Sequence, residues 1–387
     1  MKQDRSSPFR RALLPIVGVV TTAAVLASCG SGKAAGPHNR QNALRPAGPE
    51  AHKILNLTRP FFWIAVVIGL AVGVATVYAA LRFREKPGEE RRPVQTHGNI
   101  ALEISWTIIP AVILAIMGVF TVAGIFDLAK KPTGPDVVHV TVSARQWWWQ
   151  FTYTDPGNGV VTANELHIPI NQPVYLSLEG PPKCTTPGCY GNGVIHSFWI
   201  PELNGKKDVV PGRTQYLTLE ASRTGTFLGQ CAEYCGLSHA NMRMRVIAQT
   251  KQDYDAWVAS QQVGKSQEAL LKGVQSEQWQ CARCHSFQPK VPGPVAPNLV
   301  HLADRDAFAG DIYRMNFSNL WQWVYDAPSR KPMGNLEDHM PAFLNQPSAT
   351  TGKTMTQDDA KQIACFLLTQ TKTGGTEQPV VGQGSCK

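Results

Sequence analysis

Cys231-Ala-Glu-Tyr-Cys235-Gly-Leu-Ser-His239-Ala-Asn-Met242 places two thiols, an imidazole and a thioether within twelve residues. The spacing of Cys231, Cys235 and His239 would also suit one face of a helix. Gly236, and the β-prone Gly225-Thr-Phe-Leu-Gly229 before it, favour a loop between two strands instead. A further imidazole, His196, stands upstream in Val194-Ile-His196-Ser-Phe-Trp199. Soft sulfur with imidazole in an exported protein points to copper. Two plainer readings stay open: a closed Cys2His2 zinc site and a Cys231–Cys235 disulfide. Zinc leaves Met242 without a role, and a disulfide leaves both histidines and Met242 without one.

Outward from this loop, residues 137–250 alternate short β-rich runs with turns. The runs include Val137-Val-His-Val-Thr-Val142, Pro173-Val-Tyr-Leu-Ser-Leu178, Gln215-Tyr-Leu-Thr-Leu219 and Met242-Arg-Met-Arg-Val-Ile247. Asp155-Pro-Gly-Asn-Gly159, Glu179-Gly-Pro-Pro182 and Pro211-Gly212 punctuate them. The pattern predicts a small sandwich or barrel of antiparallel strands. In Gln146-Trp147-Trp148-Trp149-Gln150-Phe151, strand alternation sets Trp147, Trp149, Phe151 and Tyr153 on one face and Trp148 on the other. Core packing is the default for most of these rings. Asp253-Tyr-Asp-Ala-Trp-Val-Ala-Ser260 reads as a closing helix, and polar residues 261–268 read as a linker.

Beyond the linker stands Cys281-Ala-Arg-Cys284-His285, the pattern of covalent haem c attachment. The motif is short, and redox or zinc readings exist. An export signal and the adjacent His285 favour haem. Cys281 and Cys284 would form thioethers, and His285 would ligate the iron. A distal methionine would raise the potential, and Met315, Met333, Met340 and Met355 compete for that place. Met340-Pro-Ala-Phe343 resembles the Met-Pro pattern of small class I c-type cytochromes, and lies 55 residues after His285. Met333 is the runner-up. Pro297-Asn298-Leu299 resembles that family's loop beside the proximal histidine. His301 and His339 read as surface or propionate neighbours. Helices are predicted over 267–280, over Asn319-Leu-Trp-Gln-Trp-Val-Tyr325 with an end at Pro328, and over 356–370. The last has Thr356 as its cap and Asp358 and Asp359 in its first turn. Ile363, Phe366 and Leu367 line one of its faces.

The 387-residue chain carries a net charge of +9. Residues 1–126 hold 14 Lys+Arg against 6 Asp+Glu, whereas 127–262 hold 11 of each and 263–387 hold 12 against 11. The excess flanks the membrane segments, where basic residues set topology, which argues against a nucleic-acid partner. Lys2, Arg5, Arg10 and Arg11, followed by an apolar stretch to Ser28, form an export signal over 1–28. Leu26-Ala-Ser-Cys29 resembles the bacterial lipobox, which implies a lipidated Cys29; the plainer reading is a signal with a coincidental cysteine. Residues 61–81 and 106–126 each run 21 residues without a charge, the length of a membrane-spanning helix. That length argues against a buried soluble hairpin. Arg82, Arg84, Lys86, Arg91 and Arg92 between them read as an inner loop, which puts both ends outside. Cys184 and Cys189 flank Thr-Thr-Pro-Gly, close enough for a loop disulfide in an oxidising compartment. Cys365 and Cys386 form a weaker pair. The segments are then 1–28 signal, 29–59 exported stretch, 60–128 helix hairpin, 136–262 copper domain and 263–387 haem domain.

Cys-x-Glu-x-Cys-Gly-x-x-His-x-x-Met with the upstream His196-Ser-Phe-Trp199 resembles the CuA centre of the cytochrome c oxidase subunit II family. Glu103-Ile-Ser-Trp-Thr-Ile-Ile-Pro110 and Pro201-Glu-Leu-Asn-Gly-Lys-Lys-Asp-Val-Val-Pro-Gly-Arg213 extend the likeness, which runs from the hairpin to Ala259. It implies a cupredoxin-like Greek-key domain with two coppers bridged by Cys231 and Cys235. His196 and His239 cap them, and Met242 and the Glu233 carbonyl are weak ligands. The Glu233 side chain would bind a magnesium ion shared with subunit I. Glu103 matches a proton-path glutamate, although a helix-start carboxylate after an Asn99 cap serves equally. Trp147 matches the residue at which electrons enter. The implied whole is a multidomain membrane protein: a two-helix transmembrane hairpin, a β cupredoxin-like domain and an all-α cytochrome c domain. It would pass electrons from cytochrome c through haem c and CuA to subunit I, for oxygen reduction coupled to proton pumping. No catalytic residue is expected in this chain. Implied partners are subunits I and III and an upstream cytochrome c or cytochrome bc complex. The implied location is the bacterial inner membrane, with copper and haem domains on the outer face. A CuA-bearing nitric oxide reductase subunit and a tethered electron carrier without an oxidase are the rivals. A quinol oxidase subunit is excluded if the copper ligands are real, because that relative lacks them.

Overall fold

The computed structural model describes residues 41–84, 88, 95, 97–154, 159–181, 193–262, 267–334, 339–348 and 350–369. Cys29, the Cys184 and Cys189 pair, and Cys386 lie outside the described residues. Helices α1 (Pro49–Arg82) and α2 (Ile100–Leu128) extend the two uncharged spans at both ends. Pro49 suits the first turn of α1, where its missing N–H is not needed. The Asn99 side chain caps α2 by accepting from the Leu102 N–H at 3.2 Å. Phe62, Trp63, Leu70, Ile108, Leu114 and Phe120 are exposed. Helices this long and apolar, with their apolar side chains uncovered, have the dimensions and chemistry of membrane spans. Lys53 and Asp127 pair at 2.9 Å across the hairpin.

The hairpin is tied to the β-structure just before α1. Ala47 donates to the Glu202 carbonyl at 2.7 Å and accepts from the Ser222 N–H at 2.8 Å. Gly48 lies so close to the Glu220 carbonyl that a β-carbon there would collide with it.

Ten strands follow: β1 (Val138–Arg145), β2 (Trp148–Tyr153), β3 (Val161–Ala163), β4 (Glu165–Pro169), β5 (Val174–Glu179), β6 (His196–Trp199), β7 (Lys207–Val209), β8 (Thr214–Leu219), β9 (Gly225–Cys231) and β10 (Arg243–Gln249). They form two five-stranded sheets, in the orders β3-β2-β1-β5-β8 and β4-β10-β9-β6-β7. The sandwich is therefore mixed, not wholly antiparallel. β4 belongs to the second sheet, so the chain crosses over between β3 and β5, and β1 pairs with β5 in parallel, as β4 does with β10. Trp149, Phe151 and Tyr153 point into the core beside Phe198 and Leu176, as the alternation predicts. Helix α3 (Lys251–Gln261), capped by Thr250, closes the unit with Tyr254 and Trp257.

The remainder is helical apart from a two-residue ribbon, β11 (Ala307–Phe308) with β12 (Tyr313–Arg314). The helix predicted over 267–280 is broken into α4 (Gln267–Gly273) and α5 (Ser276–Trp279), because Gln275 takes φ 51°. Gly273 itself is covered by the Phe366 ring, which leaves no room for a side chain. α6 (Phe317–Tyr325) ends at Asp326, and Pro328 instead sits in the first turn of α7 (Ala327–Arg330). α8 (Gln357–Leu368) opens on a capping box between Thr356 and Asp359 and buries Ile363 and Leu367.

The helical part packs on the sandwich. Glu165 on β4 is buried and accepts from the Asp306 N–H at 2.7 Å and the Ala307 N–H at 3.2 Å. Arg245 on β10 reaches Asp311 at 2.6 Å and Asp306 at 3.1 Å. Burial raises the Glu165 carboxyl to about 7, against the downward pull of Arg245. The folded chain thus keeps a proton that the unfolded chain has already lost. Stability from this group is full below the ordinary carboxylate value and is lost as pH rises through about 7. At about 1.4 kcal/mol for each pKa unit, the ceiling is about 3 kcal/mol. Glu165→Gln keeps an acceptor for both N–H groups and removes the ionisation. The melting temperature of the detergent-solubilised protein should therefore fall from about pH 5 to about pH 8 more steeply in the wild type than in this variant; equal slopes would show that Glu165 is not the titrating group.

Candidate metal centre

The loop between β9 and β10 carries four of the predicted donors. Its base is closed by Cys231 N–H donating to the Met242 carbonyl at 2.9 Å. Ala232 donates to the Ser197 carbonyl at 2.9 Å, which ties the loop to the strand that begins at His196. Gly236 turns the loop at φ 107°, and a short 3-10 turn over His239–Asn241 swings His239 and Met242 back. The helical alternative for this spacing is not the one adopted.

All six donors converge. The Cys231 and Cys235 sulfurs lie 3.8 Å apart. Cys231 Sγ is 3.8 Å from His196 Nδ1 and 3.2 Å from the Glu233 carbonyl oxygen. Cys235 Sγ is 3.6 Å from His239 Nδ1 and 3.9 Å from Met242 Sδ. His196, Cys231 and Cys235 offer ligand atoms within 4.8 Å of one another. Both cysteines are free, which removes the disulfide reading. The arrangement has two lobes sharing a sulfur pair, more donors than one tetrahedral zinc uses. The hydrogen bond between the two sulfurs drops the Cys231 thiol to about 3 and pushes Cys235 up. The pair thus binds one proton tightly between two sulfurs, and a soft cation competes for the same electrons.

The loop leans on Trp147. Its Nε1 donates to the Cys235 carbonyl at 2.8 Å, and Gln146 Nε2 donates to the same oxygen at 2.6 Å. On its other side the Trp147 ring lies 5.0 Å from the His339 ring. Lys331, buried and carried by the helical part, donates to the Trp147 and Ala309 carbonyls at 2.7 and 2.9 Å. Burial pushes the lysine down to about 7, partly offset by Cys235.

Cys281, Cys284 and His285 border a cavity of about 550 Å³, which adjoins a second of about 150 Å³. His285, Ala296, Met333, His339 and Met340 line both. His285 Nδ1 is 2.7 Å from the Pro297 carbonyl, which can only accept. The Nδ1 therefore carries the proton, and the Nε2 lone pair is left for a metal. Burial holds this imidazole below its ordinary pKa and so neutral. Asn298 braces the Pro297 loop by donating to the Gln288 and Val291 carbonyls at 2.8 and 2.7 Å. Met333 and Met340 border the cavities, whereas Met355 is buried and Met315 half-buried in the helical core. His301 pairs with Asp304 at 3.1 Å, away from both cavities. His339 is not a surface group; it stands in the wall between Trp147 and the cavity.

Glu103 is exposed in the first turn of α2, and Glu233 is half-buried beside the sulfur pair. Cys365 on α8 is disulfide-bonded, while its candidate partner Cys386 lies outside the described residues. Lys331 and Arg305 escaped the sequence reading. Arg305 is buried, donates to the Asn298 carbonyl at 2.7 Å and lines the smaller cavity. Neither belongs to a motif; the signal is a buried cation, visible only in the fold.

Residues 38–123 match the family model described as cytochrome c oxidase subunit II, transmembrane domain, and residues 185–249 match its periplasmic domain. A quinol oxidase subunit 2 of Bacillus cereus is 31% identical over 219 residues, 56% of this chain and 71% of that one. Cytochrome c oxidase subunit 2 of Bacillus sp. (strain PS3) is 36% identical over 271 residues, 65% of this chain and 72% of that one. Cytochrome c oxidase subunit 2 of Alkalihalophilus pseudofirmus is 34% identical over 333 residues, 84% of this chain and 89% of that one. With the copper-type donor cluster and two membrane-length helices beside these matches, the chain belongs to the cytochrome c oxidase subunit II family, as a membrane subunit of an oxidoreductase complex with an extracellular domain.

Proposed function

We propose that this chain takes electrons from a cytochrome c donor through its own haem c and a binuclear copper centre, and hands them to subunit I. The observation that carries this reading is the shared seam: the six-donor cluster and the C-x-x-C-H cavity meet at Trp147. Cys231 and Cys235 would bridge the coppers. His196 and His239 would cap them, with Met242 and the Glu233 carbonyl as weak ligands. Cys281 and Cys284 would hold the haem, with His285 and Met340 on its iron. Copper and iron would supply one-electron carriers, and the loop, closed by the Cys231 N–H on the Met242 carbonyl, would hold the donors in place around them.

Subunit I would carry oxygen reduction and proton pumping. Glu103 would feed its proton path, and the Glu233 side chain would share a magnesium ion with it. Subunit III and an upstream cytochrome c or cytochrome bc complex complete the partners, at the bacterial inner membrane. Cys29 would be the lipid anchor, and Cys184–Cys189 and Cys365–Cys386 the disulfides. The donor cluster favours this reading over a quinol oxidase subunit, and Glu103, Glu233 and the hairpin favour it over a nitric oxide reductase subunit or a free-standing carrier.

Replacing Cys235 with serine should abolish copper binding and turnover with cytochrome c while haem stays covalently bound and reducible. Metal analysis and a pyridine haemochrome assay of the purified complex check this; a variant that still turns over at the normal rate would sink the assigned path. Met340→Leu should lower the haem potential and remove the methionine–iron absorption band. If Met333→Leu does so instead, the distal assignment moves to Met333. Intact mass of the detergent-extracted chain should show loss of residues 1–28 and an acyl adduct. An unmodified Met1 would rule out the lipid anchor.

A further inference from the structure

We propose that Lys331 is the positioning residue of the contact between the two redox half-sites. Its ammonium, carried by the helical part, holds the Trp147 backbone so that the indole bridges the metal-donor loop and the wall of the haem-type cavity. The proposal rests on the reading that copper and haem occupy these two sites.

Trp147 is only 4% exposed. Its indole N–H donates to the carbonyl of Cys235, a metal donor, and its ring faces His339, which shares both cavities with His285. No carrier in solution can touch this indole while the helical part is docked. Its neighbour on the donor side is therefore the helical part itself. The indole's position is set from two sides: Cys235 holds the ring, and Lys331 holds the main chain of the same residue.

Lys331 is 4% exposed, so its side-chain nitrogen is cut off from water and must find its hydrogen-bond partners inside the protein. Two carbonyls take two of its three N–H groups, at 2.7 and 2.9 Å. One carbonyl belongs to the sandwich and the other, of Ala309, to the helical part, so a single ammonium joins the two. The following residues continue the seam. The Pro332 carbonyl accepts from Ser238 of the metal loop, and Met333 packs in the sandwich core while lining both cavities. Gly310 makes the approach possible: it takes φ 81°, its carbonyl accepts from the Arg243 N–H at 3.0 Å, and a β-carbon there would strike the Asn241 carbonyl. The separate cluster of Glu165, Arg245, Asp306 and Asp311 also holds the helical part to the sandwich. Docking therefore does not depend on Lys331 alone, and the lysine's distinct task is the placement of Trp147.

The test uses the assembled oxidase with Lys331→Met and Lys331→Gln, comparing haem-to-copper electron transfer after rapid one-electron reduction of the haem. In Lys331→Met, copper content, copper spectrum and haem potential should match the wild type, and the internal transfer rate should fall by about tenfold or more. Lys331→Gln, whose amide still donates to one carbonyl, should be intermediate, and is read alone if the methionine variant does not assemble. A merely stabilising lysine would lower the melting temperature and leave the transfer rate unchanged. Wild-type transfer rates in the assembled variants overturn the proposal. Absence of copper or haem from the wild-type complex overturns instead the reading on which it rests.

Discussion

Two sulfurs held 3.8 Å apart without a bond are the constraint around which the rest of this chain is arranged. Buried thiols at that distance hold one proton between them, and a soft cation competes for the same sulfur electrons. The sandwich supplies the rigidity. Cys231 ends β9, its N–H is closed by Met242 at the start of β10, and His196 begins the neighbouring strand β6. Three strand ends thus fix three donors, and the loop between β9 and β10 needs only Gly236 and a 3-10 turn to deliver the others.

The second arrangement is the seam between sandwich and helical part. It is rich in ionisable side chains. Glu165, Arg245, Asp311 and Lys331 are all buried or nearly so, each with partners across the seam. Buried polar groups of this kind add little net stability, but a shifted docking would leave them without partners. Lys331 on two named carbonyls fixes one such contact to particular backbone atoms.

Much of this was legible in the chain. The loop motif has its ligands clustered in sequence because a single β-hairpin carries them, and C-x-x-C-H is local by nature. The alternation at Trp149, Phe151 and Tyr153, the Asn99 and Thr356 caps and the two apolar spans were read directly from periodicity and capping chemistry. Local rules failed where a long-range contact overrode them. The helix over 267–280 breaks where Gln275 takes a left-handed turn, just after Gly273, whose missing side chain makes room for the Phe366 ring from far along the chain. Pro328 starts a helical turn where it was expected to end one, since Asp326 supplies the cap. The parallel pairings follow from a crossover between sheets, which no strand pattern announces.

The sequence by itself determined the membrane spans, the strand-rich middle, the donor set of the loop and the haem-type motif, because each is a short-range pattern of residue type and spacing. The motifs had already pointed to His196 and ranked Met340 ahead of Met333; only the tertiary structure showed how close His196 comes to the loop sulfurs, that both these methionines border the cavities while Met315 and Met355 lie in the helical core, and that Lys331 reaches Trp147 from 184 residues away. Those facts depend on which surfaces meet, and a lone lysine carries no mark of its partner until burial leaves it no water to bind.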